Sequence, residues 1–222
     1  MSREDKIQKI GILGGTFDPV HNGHLALVEE AFAGLDLDSL LLIPAAVPPH
    51  KRDLLITPLK DRLSMLSFAV SGRDGLYVSD IEAERLGPSF SVDTVAALRA
   101  HFGAEVTLFF IVGIDAFVEI QTWKDYQQLP MLADIVVVNR AGTHSPKFAE
   151  VVKSRFVGYS LDAEHDCWRG VNGHGVIRSL AMKPVDISST VVREFVASGR
   201  SVGHFLPDAV AEYIHRRRLY LP

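Results

Sequence analysis

Four things that the sequence lacks narrow the classes of protein it can encode. Cys167 is the single cysteine in 222 residues, so a disulfide within the chain is impossible and a reducing compartment such as the cytoplasm is expected. No apolar run approaches the roughly 18–20 residues of a membrane span, and no secretory signal is recognisable at the N-terminus. Neither sign of charge dominates, because 23 Lys and Arg face 27 Asp and Glu. We therefore expect neither a nucleic-acid polymer nor an anionic membrane as the main partner. The sequence is compatible with both a monomer and a homo-oligomer.

Apolar residues are plentiful and follow a regular order. They make up 47% of the chain, and they form short, almost continuous runs that alternate with helix-like stretches. Such runs are typical of parallel strands that are covered on both faces. The pattern predicts an α/β fold in one domain over residues 1–222: a doubly wound, mostly parallel sheet with helices on both faces. The strand candidates are residues 10–13, 40–43, 76–78, 106–112, 135–138 and 176–182.

Capping residues predict where several helices begin. Thr57 followed by proline favours one helix start, Ser91 a second, and Ser188 or Ser189 a third. Residues 141–183 fit the alternating pattern least, and we expect a divergent or inserted segment there. Within it, residues 146–156 favour a helix and residues 158–175 a loop or insertion.

A glycine-rich loop follows the first strand. Gly14 and Gly15 expose backbone N–H groups, Thr16 adds a hydroxyl, and a helix opens with His21 and His24. Free N–H groups and the positive end of a helix suit a phosphate, and each imidazole can donate a hydrogen bond to it. The glycine spacing matches neither a dinucleotide-binding fingerprint nor a P-loop. A turn with two surface histidines is the plain alternative, and a zinc site lacks a third ligand nearby.

A second cluster of hydroxyls lies near the C-terminus. Ile187, Ser188 and Ser189 precede a helix that carries Arg193 in its first turns. Hydroxyls, helix-start N–H groups and a forked cation form a second anion-binding arrangement. Alone, the stretch is equally typical of a serine-capped helix with an exposed arginine.

Residues 14–24 resemble the GG-T-F-D-P-x-H-x-G-H signature of the nucleotidyltransferase superfamily that is marked by an H-x-G-H loop. Residues 187–193 resemble the I-S-S-T-x-x-R element of the same superfamily. The resemblance implies a doubly wound parallel sheet, two histidines that hold the phosphates of ATP, and a late element that contacts adenine and phosphates. The implied ATP-binding residues are Gly14, Gly15, Thr16, Phe17, His21, His24, Ile187, Ser188, Ser189 and Arg193.

Four further stretches resemble the nicotinate mononucleotide adenylyltransferase family. Residues 48–51 read P-P-H-K, and residues 113–115 read G-x-D with a tryptophan eight residues later. Residues 89–94 resemble S-Y-T-x-D-T with Phe90 and Ser91 in place of Tyr and Thr, and residues 139–142 resemble N-R-P-G with Ala141 in place of Pro. The implied mononucleotide-binding residues are Lys51, Ser91, Asp115, Trp123, Lys124 and Arg140.

The resemblance implies transfer of AMP from ATP to nicotinate mononucleotide, giving nicotinate adenine dinucleotide and pyrophosphate for NAD biosynthesis. His21, His24, Lys51 and Arg193 would stabilise charge on the phosphates, and Mg²⁺ would arrive with ATP without a dedicated metal site in the protein. A pantetheine-phosphate adenylyltransferase or a cytidylyltransferase is the nearest alternative, and a non-catalytic nucleotide-binding regulator is another. The spacing of His165, Cys167 and His174 matches no zinc pattern, so scattered loop residues are expected there.

Overall fold

Strands alternate with helices through most of the part that the computed structural model describes, which is residues 7–49, 55–139, 146–171 and 175–221. Towards the C-terminus three strands follow one another and are followed by two helices. The strands are β1 (Lys9–Gly15), β2 (Ser39–Pro44), β3 (Leu76–Val78), β4 (Thr107–Gly113), β5 (Asp134–Asn139), β6 (Tyr159–Asp162), β7 (Cys167–Gly170) and β8 (Val176–Ala181). The helices are α1 (Asn22–Gly34), α2 (Leu59–Val70), α3 (Ser91–Phe102), α4 (Ile114–Val118), α5 (Leu129–Leu132), α6 (Pro146–Arg155), α7 (Ser189–Ala197) and α8 (Asp208–Arg217).

All eight strands lie in one sheet in the order β3-β2-β1-β4-β5-β8-β7-β6. The first six strands in this order pair in parallel, whereas β7 is antiparallel to both β8 and β6. The predicted α/β class with a doubly wound, mostly parallel sheet is confirmed. From β1 the chain adds β2 and β3 on one side and β4 and β5 on the other, so the winding reverses between β1 and β4. Ligands of such sheets bind at that switch point, beyond the carboxyl ends of the strands.

The segment 158–175, which we predicted as a loop or insertion, contains the hairpin of β6 and β7 instead. Tyr159 pairs with Gly170 and Asp162 pairs with Cys167, so the two strands form a tight antiparallel pair. Each strand has only four residues, which is too short for a periodicity of two to stand out from a loop. The helix expected over residues 146–156 is present as α6.

Two of the three predicted helix starts are shifted by one residue. Pro58 rather than Thr57 is the N-cap of α2, and Phe90 rather than Ser91 is the N-cap of α3. Ser91 is thus the first helical residue, because the N–H groups of Asp93 and Thr94 both donate to the carbonyl of Phe90. Ser188 does cap α7, since its hydroxyl accepts a hydrogen bond from the N–H of Val191 at 3.3 Å.

Two hydrophobic cores cover the two faces of the sheet. The first contains Val28 of α1, Leu66 of α2, Val192 of α7 and Tyr213 of α8. The second lies on the other face of the sheet, where α3, α4 and α6 pack against β4 and β5. Phe117 is fully buried within it. Among the described residues, no helix combines the length and the apolar character needed to cross a membrane. The sheet thus separates the two hydrophobic cores.

Candidate active site

A cavity of about 360 Å³ opens at the switch point between β1 and β4. Its floor is formed by the carboxyl ends of three parallel strands, which contribute Gly14 and Gly15, Ile43, and Gly113. Thr16 and the loop around Pro48 and Pro49 line one side of it, and Ser89, Phe90, Ser91, Trp123 and Lys124 line the other. Four of the stretches that the sequence suggested for ligand binding therefore share one cavity.

His21 and His24 close the start of α1 by capping each other. The Nδ1 atom of His21 accepts the N–H of His24 at 3.3 Å, and the Nδ1 atom of His24 accepts the N–H of His21 at 3.2 Å. The two rings stack with centroids 3.7 Å apart. Because an accepting nitrogen carries no proton, each neutral imidazole bears its proton on Nε2. Both side chains thus present a hydrogen-bond donor on the side turned away from these amides, which suits a phosphate oxygen.

Gly23 is needed between the two histidines for steric reasons. A Cβ atom at this position would lie 3.1 Å from both Cε1 and Nδ1 of His21 and 3.7 Å from the Cβ of Ile187. Any side chain would therefore press against the imidazole that caps α1. The glycine of the H-x-G-H loop is thus explained by its close approach to the imidazole of His21.

The early loop and the late helix are in direct contact, as the proposed site requires. The Nη1 atom of Arg193 donates to the carbonyl of Asp18 at 2.8 Å, and the hydroxyl of Ser189 donates to the carbonyl of Pro19 at 2.9 Å. These contacts join residues 175 and 170 positions apart in the chain. The histidines and residues 187–193 do not line this cavity, so the predicted site residues fall into two groups.

The side of the cavity around Trp123 combines aromatic rings with an ion pair. Trp123 is half-buried, with its ring centroid 6.2 Å from that of Phe110 in an edge-on arrangement, so it serves both core and cavity. The Nζ atom of Lys124 bonds to both carboxylate oxygens of Asp93, at 3.1 and 3.0 Å, and lies 5.0 Å from the ring centroid of Phe90. The N–H of Trp123 donates to Ile120, which leaves the start of α3 at Ser91 as the better place for a carboxylate.

The remaining predicted residues have mixed positions. Phe17 is a core residue with 2% exposure, so only its backbone can contact a ligand. Asp115 is exposed in the first turn of α4 and does not line the cavity, although its neighbours Gly113 and Ala116 do. Lys51 and Arg140 lie outside the described residues.

Sequence reasoning missed a buried polar network behind the loop. Asp18 accepts a hydrogen bond from the hydroxyl of Tyr220 at 2.7 Å and one from the N–H of Thr57 at 3.3 Å. Arg62 is 2% exposed and donates to three main-chain carbonyls. Burial lowers the pKa of its guanidinium, and the charge of Asp18 counteracts that effect. The sequence signal for Arg62 was a charged residue in the first turn of α2, a helix whose later residues are mostly apolar.

The tyrosines make stability fall at alkaline pH. Burial first, and the charge of Asp134 second, raise the pKa of Tyr159 to about 12, and burial with the charge of Asp18 also raises the pKa of Tyr220. Above an unfolded-state pKa of about 10, the unfolded chain loses protons that the folded chain keeps, so the free energy of unfolding declines between pH 10 and 12. Urea unfolding midpoints measured from pH 8 to 11 test this. Tyr220→Phe should flatten the decline in unfolding free energy, and a decline equal to that of wild type would contradict the assignment to Tyr220. Tyr77→Phe, at an exposed tyrosine, is the matched control.

The described residues hold no group of three or more His, Cys, Asp or Glu that could bind a metal ion. Cys167 is buried in β7, whereas His165 is exposed beside it and its Nδ1 atom lies 2.9 Å from Asp162. His174 lies outside the described residues.

Comparison with known proteins identifies the family of this chain. A family model described as cytidylyltransferase-like matches residues 12–195. A protein of Geobacter sp. named "Probable nicotinate-nucleotide adenylyltransferase" is 41% identical over 214 residues, which cover 96% of this chain and 98% of that one. A protein of Desulfatibacillum aliphaticivorans with the same name is 38% identical and is covered completely, with 96% of this chain aligned.

The chain belongs to the nicotinate-nucleotide adenylyltransferase family. The family that the four further stretches suggested is thereby confirmed. The nicotinic acid mononucleotide adenylyltransferase of Plasmodium falciparum, solved in complex with NaAD, superposes with a TM-score of 0.70 at 17% identity, over 96% of this chain and 97% of that one. The same enzyme in complex with APC gives a TM-score of 0.66 at 16% identity, again with 96% and 97% coverage. At such low identity the superpositions support the fold.

Proposed function

We propose that this protein transfers the adenylyl group of ATP to nicotinate mononucleotide, with release of pyrophosphate. The observation that carries the proposal is the contact between Arg193 and the loop that ends in the paired histidines, at the rim of a cavity walled by Trp123. A triphosphate needs the first part and an aromatic mononucleotide needs the second. The full-length relatives of the same family support this pairing of substrates.

The chemistry follows from positioning. A phosphate oxygen of the mononucleotide attacks the α-phosphorus of ATP, a new P–O bond forms, and the bond from that phosphorus to the oxygen bridging to the β-phosphate breaks. His21 and His24 donate from Nε2, and Arg193 supplies a fixed cation, so the leaving pyrophosphate is stabilised as its charge develops.

Two further groups complete the proposal. Mg²⁺ would be held by phosphate oxygens and water, as is common for this small, strongly hydrated ion, and it would neutralise charge on the triphosphate. Lys51 and Arg140 are proposed as additional phosphate contacts on the strength of the motifs that contain them. Asp115 is proposed as a partner of ribose hydroxyls, and the protein is proposed to act in the cytoplasm on small-molecule substrates.

Product analysis tests the proposal. Purified protein is incubated with Mg²⁺ and ATP together with nicotinate mononucleotide, nicotinamide mononucleotide or phosphopantetheine, and a fourth reaction contains CTP in place of ATP. Pyrophosphate and the adenylylated product are quantified by chromatography. We expect nicotinate mononucleotide with ATP to be used fastest. Two results would contradict the proposal. One is pyrophosphate release only in the reaction that contains phosphopantetheine, and the other is binding of ATP without pyrophosphate release in any of the four reactions.

A further inference from the structure

Two buried side chains of opposite charge form hydrogen bonds with a single peptide group behind the cavity. The carbonyl of Ala45 accepts a hydrogen bond from Nη1 of Arg62 at 2.8 Å. The N–H of Ala46, on the other side of the same peptide bond, donates to Oε2 of Glu82 at 3.3 Å. Arg62 is 2% exposed and Glu82 is 7% exposed. Both charges act along the dipole of this peptide group, so each hydrogen bond strengthens the other.

Arg62 connects this peptide bond to the proposed ATP side. The other N–H of its Nη1 donates to the carbonyl of Thr16 at 2.9 Å, and its Nε donates to the carbonyl of Thr57 at 2.8 Å. Ala45 also donates its own N–H to the carbonyl of Gly15 at 2.8 Å. The end of β2 and the glycine loop after β1 are therefore held at a fixed separation.

Glu82 connects the same peptide bond to the proposed acceptor side. Its Oε1 accepts the hydroxyl of Thr94 at 2.6 Å, which ties it to the first turn of α3. One residue past the gripped peptide, Val47 and Ser89 exchange two hydrogen bonds of 3.0 and 2.9 Å. The loop that leads to Ser91 is thus fixed to the end of β2.

We propose that Arg62 and Glu82 are positioning residues that, through the 45–46 peptide bond, set the distance between the two substrates for in-line attack. This inference rests on the proposed function. In-line transfer is sensitive to small displacements of the reacting atoms, whereas each subsite keeps its own binding contacts. Loss of either side chain's hydrogen bond to this peptide group therefore lowers kcat more than it raises either KM.

The chain provides a matched control in Arg99. Its guanidinium also donates to three main-chain carbonyls, those of Leu132, Gly103 and Val106, at 2.7 to 2.9 Å. These carbonyls lie at the opposite end of the sheet, because Val106 precedes the first residue of β4. Arg99→Lys removes a comparable set of hydrogen bonds without touching the cavity.

The test compares Arg62→Lys, Glu82→Gln, the double variant and Arg99→Lys by kcat, by KM for ATP and for nicotinate mononucleotide, and by thermal midpoint. Each single site variant should lose about tenfold in kcat, as expected for a hydrogen bond to a charged group, while both KM values change less than threefold. Because both side chains act on one peptide bond, the double variant should lose about as much as the worse single variant rather than the product of the two losses. Glu82→Gln is isosteric, which keeps the test valid if Arg62→Lys does not fold.

Two outcomes would overturn the inference: kcat values for Arg62→Lys and Glu82→Gln that match Arg99→Lys, or losses that multiply in the double variant. Failure of the proposed function would be recognised differently, since wild-type protein would then form no dinucleotide from ATP and nicotinate mononucleotide.

Discussion

Replacement of His24 by alanine is expected to lower kcat by about 100- to 1,000-fold, the range for removal of one preorganised donor to developing negative charge. The Nδ1 atom of His24 is engaged with the N–H of His21, so the loss at the reacting phosphates is that of the Nε2 donor. The variant also removes one side-chain cap of α1, which costs about 1 kcal/mol of stability. Steady-state kinetics and urea unfolding, measured on the same preparation, separate the two effects.

His24→Asn sharpens this experiment. The asparagine side-chain oxygen can occupy the place of Nδ1 and accept the N–H of His21, but nothing reaches the place of Nε2. We expect this variant to recover most of the stability and little of the activity. His101→Ala, at an exposed histidine of α3, is the control and should behave as wild type. Turnover at the wild-type rate in His24→Ala and His24→Asn would show that this imidazole does not serve the chemistry.

Replacement of Asp18 by alanine is expected to lower the free energy of unfolding by about 3 kcal/mol, the loss typical when one partner of a buried charged network is removed. The hydroxyl of Tyr220 and the N–H of Thr57 would lose their acceptor, and the buried Arg62 would lose a nearby negative charge. The glycine loop would also be held less firmly, because residues 18 and 19 carry the carbonyls that receive Arg193 and Ser189.

Guanidinium chloride unfolding at pH 7 measures this loss. Tyr220→Phe removes the hydroxyl that donates to Asp18 and should cost about 1 kcal/mol. Asp74→Ala, at an exposed aspartate, should stay within about 0.5 kcal/mol of wild type. A loss in Asp18→Ala no larger than that in Asp74→Ala would mean that the network contributes nothing to folding.

The sequence was informative where structure depends on neighbours along the chain. Six strands of the sheet were predicted from continuous apolar runs, and the α7 cap at Ser188 from its residue type. The hairpin of β6 and β7 was missed because four-residue strands carry too little pattern.

The buried network was beyond sequence reasoning for a different reason. Arg62 and Glu82 bind main-chain atoms of residues 16, 45 and 46, and a main-chain carbonyl or amide has no signature in the amino-acid sequence. Tyr220 meets Asp18 across 202 positions, a separation at which only the folded chain reveals partners. The motifs predicted groups for ligand contact, whereas the groups that hold those motifs in place became visible only in three dimensions.

The two-layered packing of the sheet has a consequence for how this scaffold can diversify. The elements that carry the paired histidines and Arg193 are anchored in one hydrophobic layer, with Val28 and Val192, whereas Trp123 and the start of α3 pack on the other. On the proposed assignment of the site, mutations around Trp123 would repack the second layer, whereas Val28 and Val192 would keep their neighbours in the first. Such a scaffold would allow the acceptor to change more readily than the nucleotide donor.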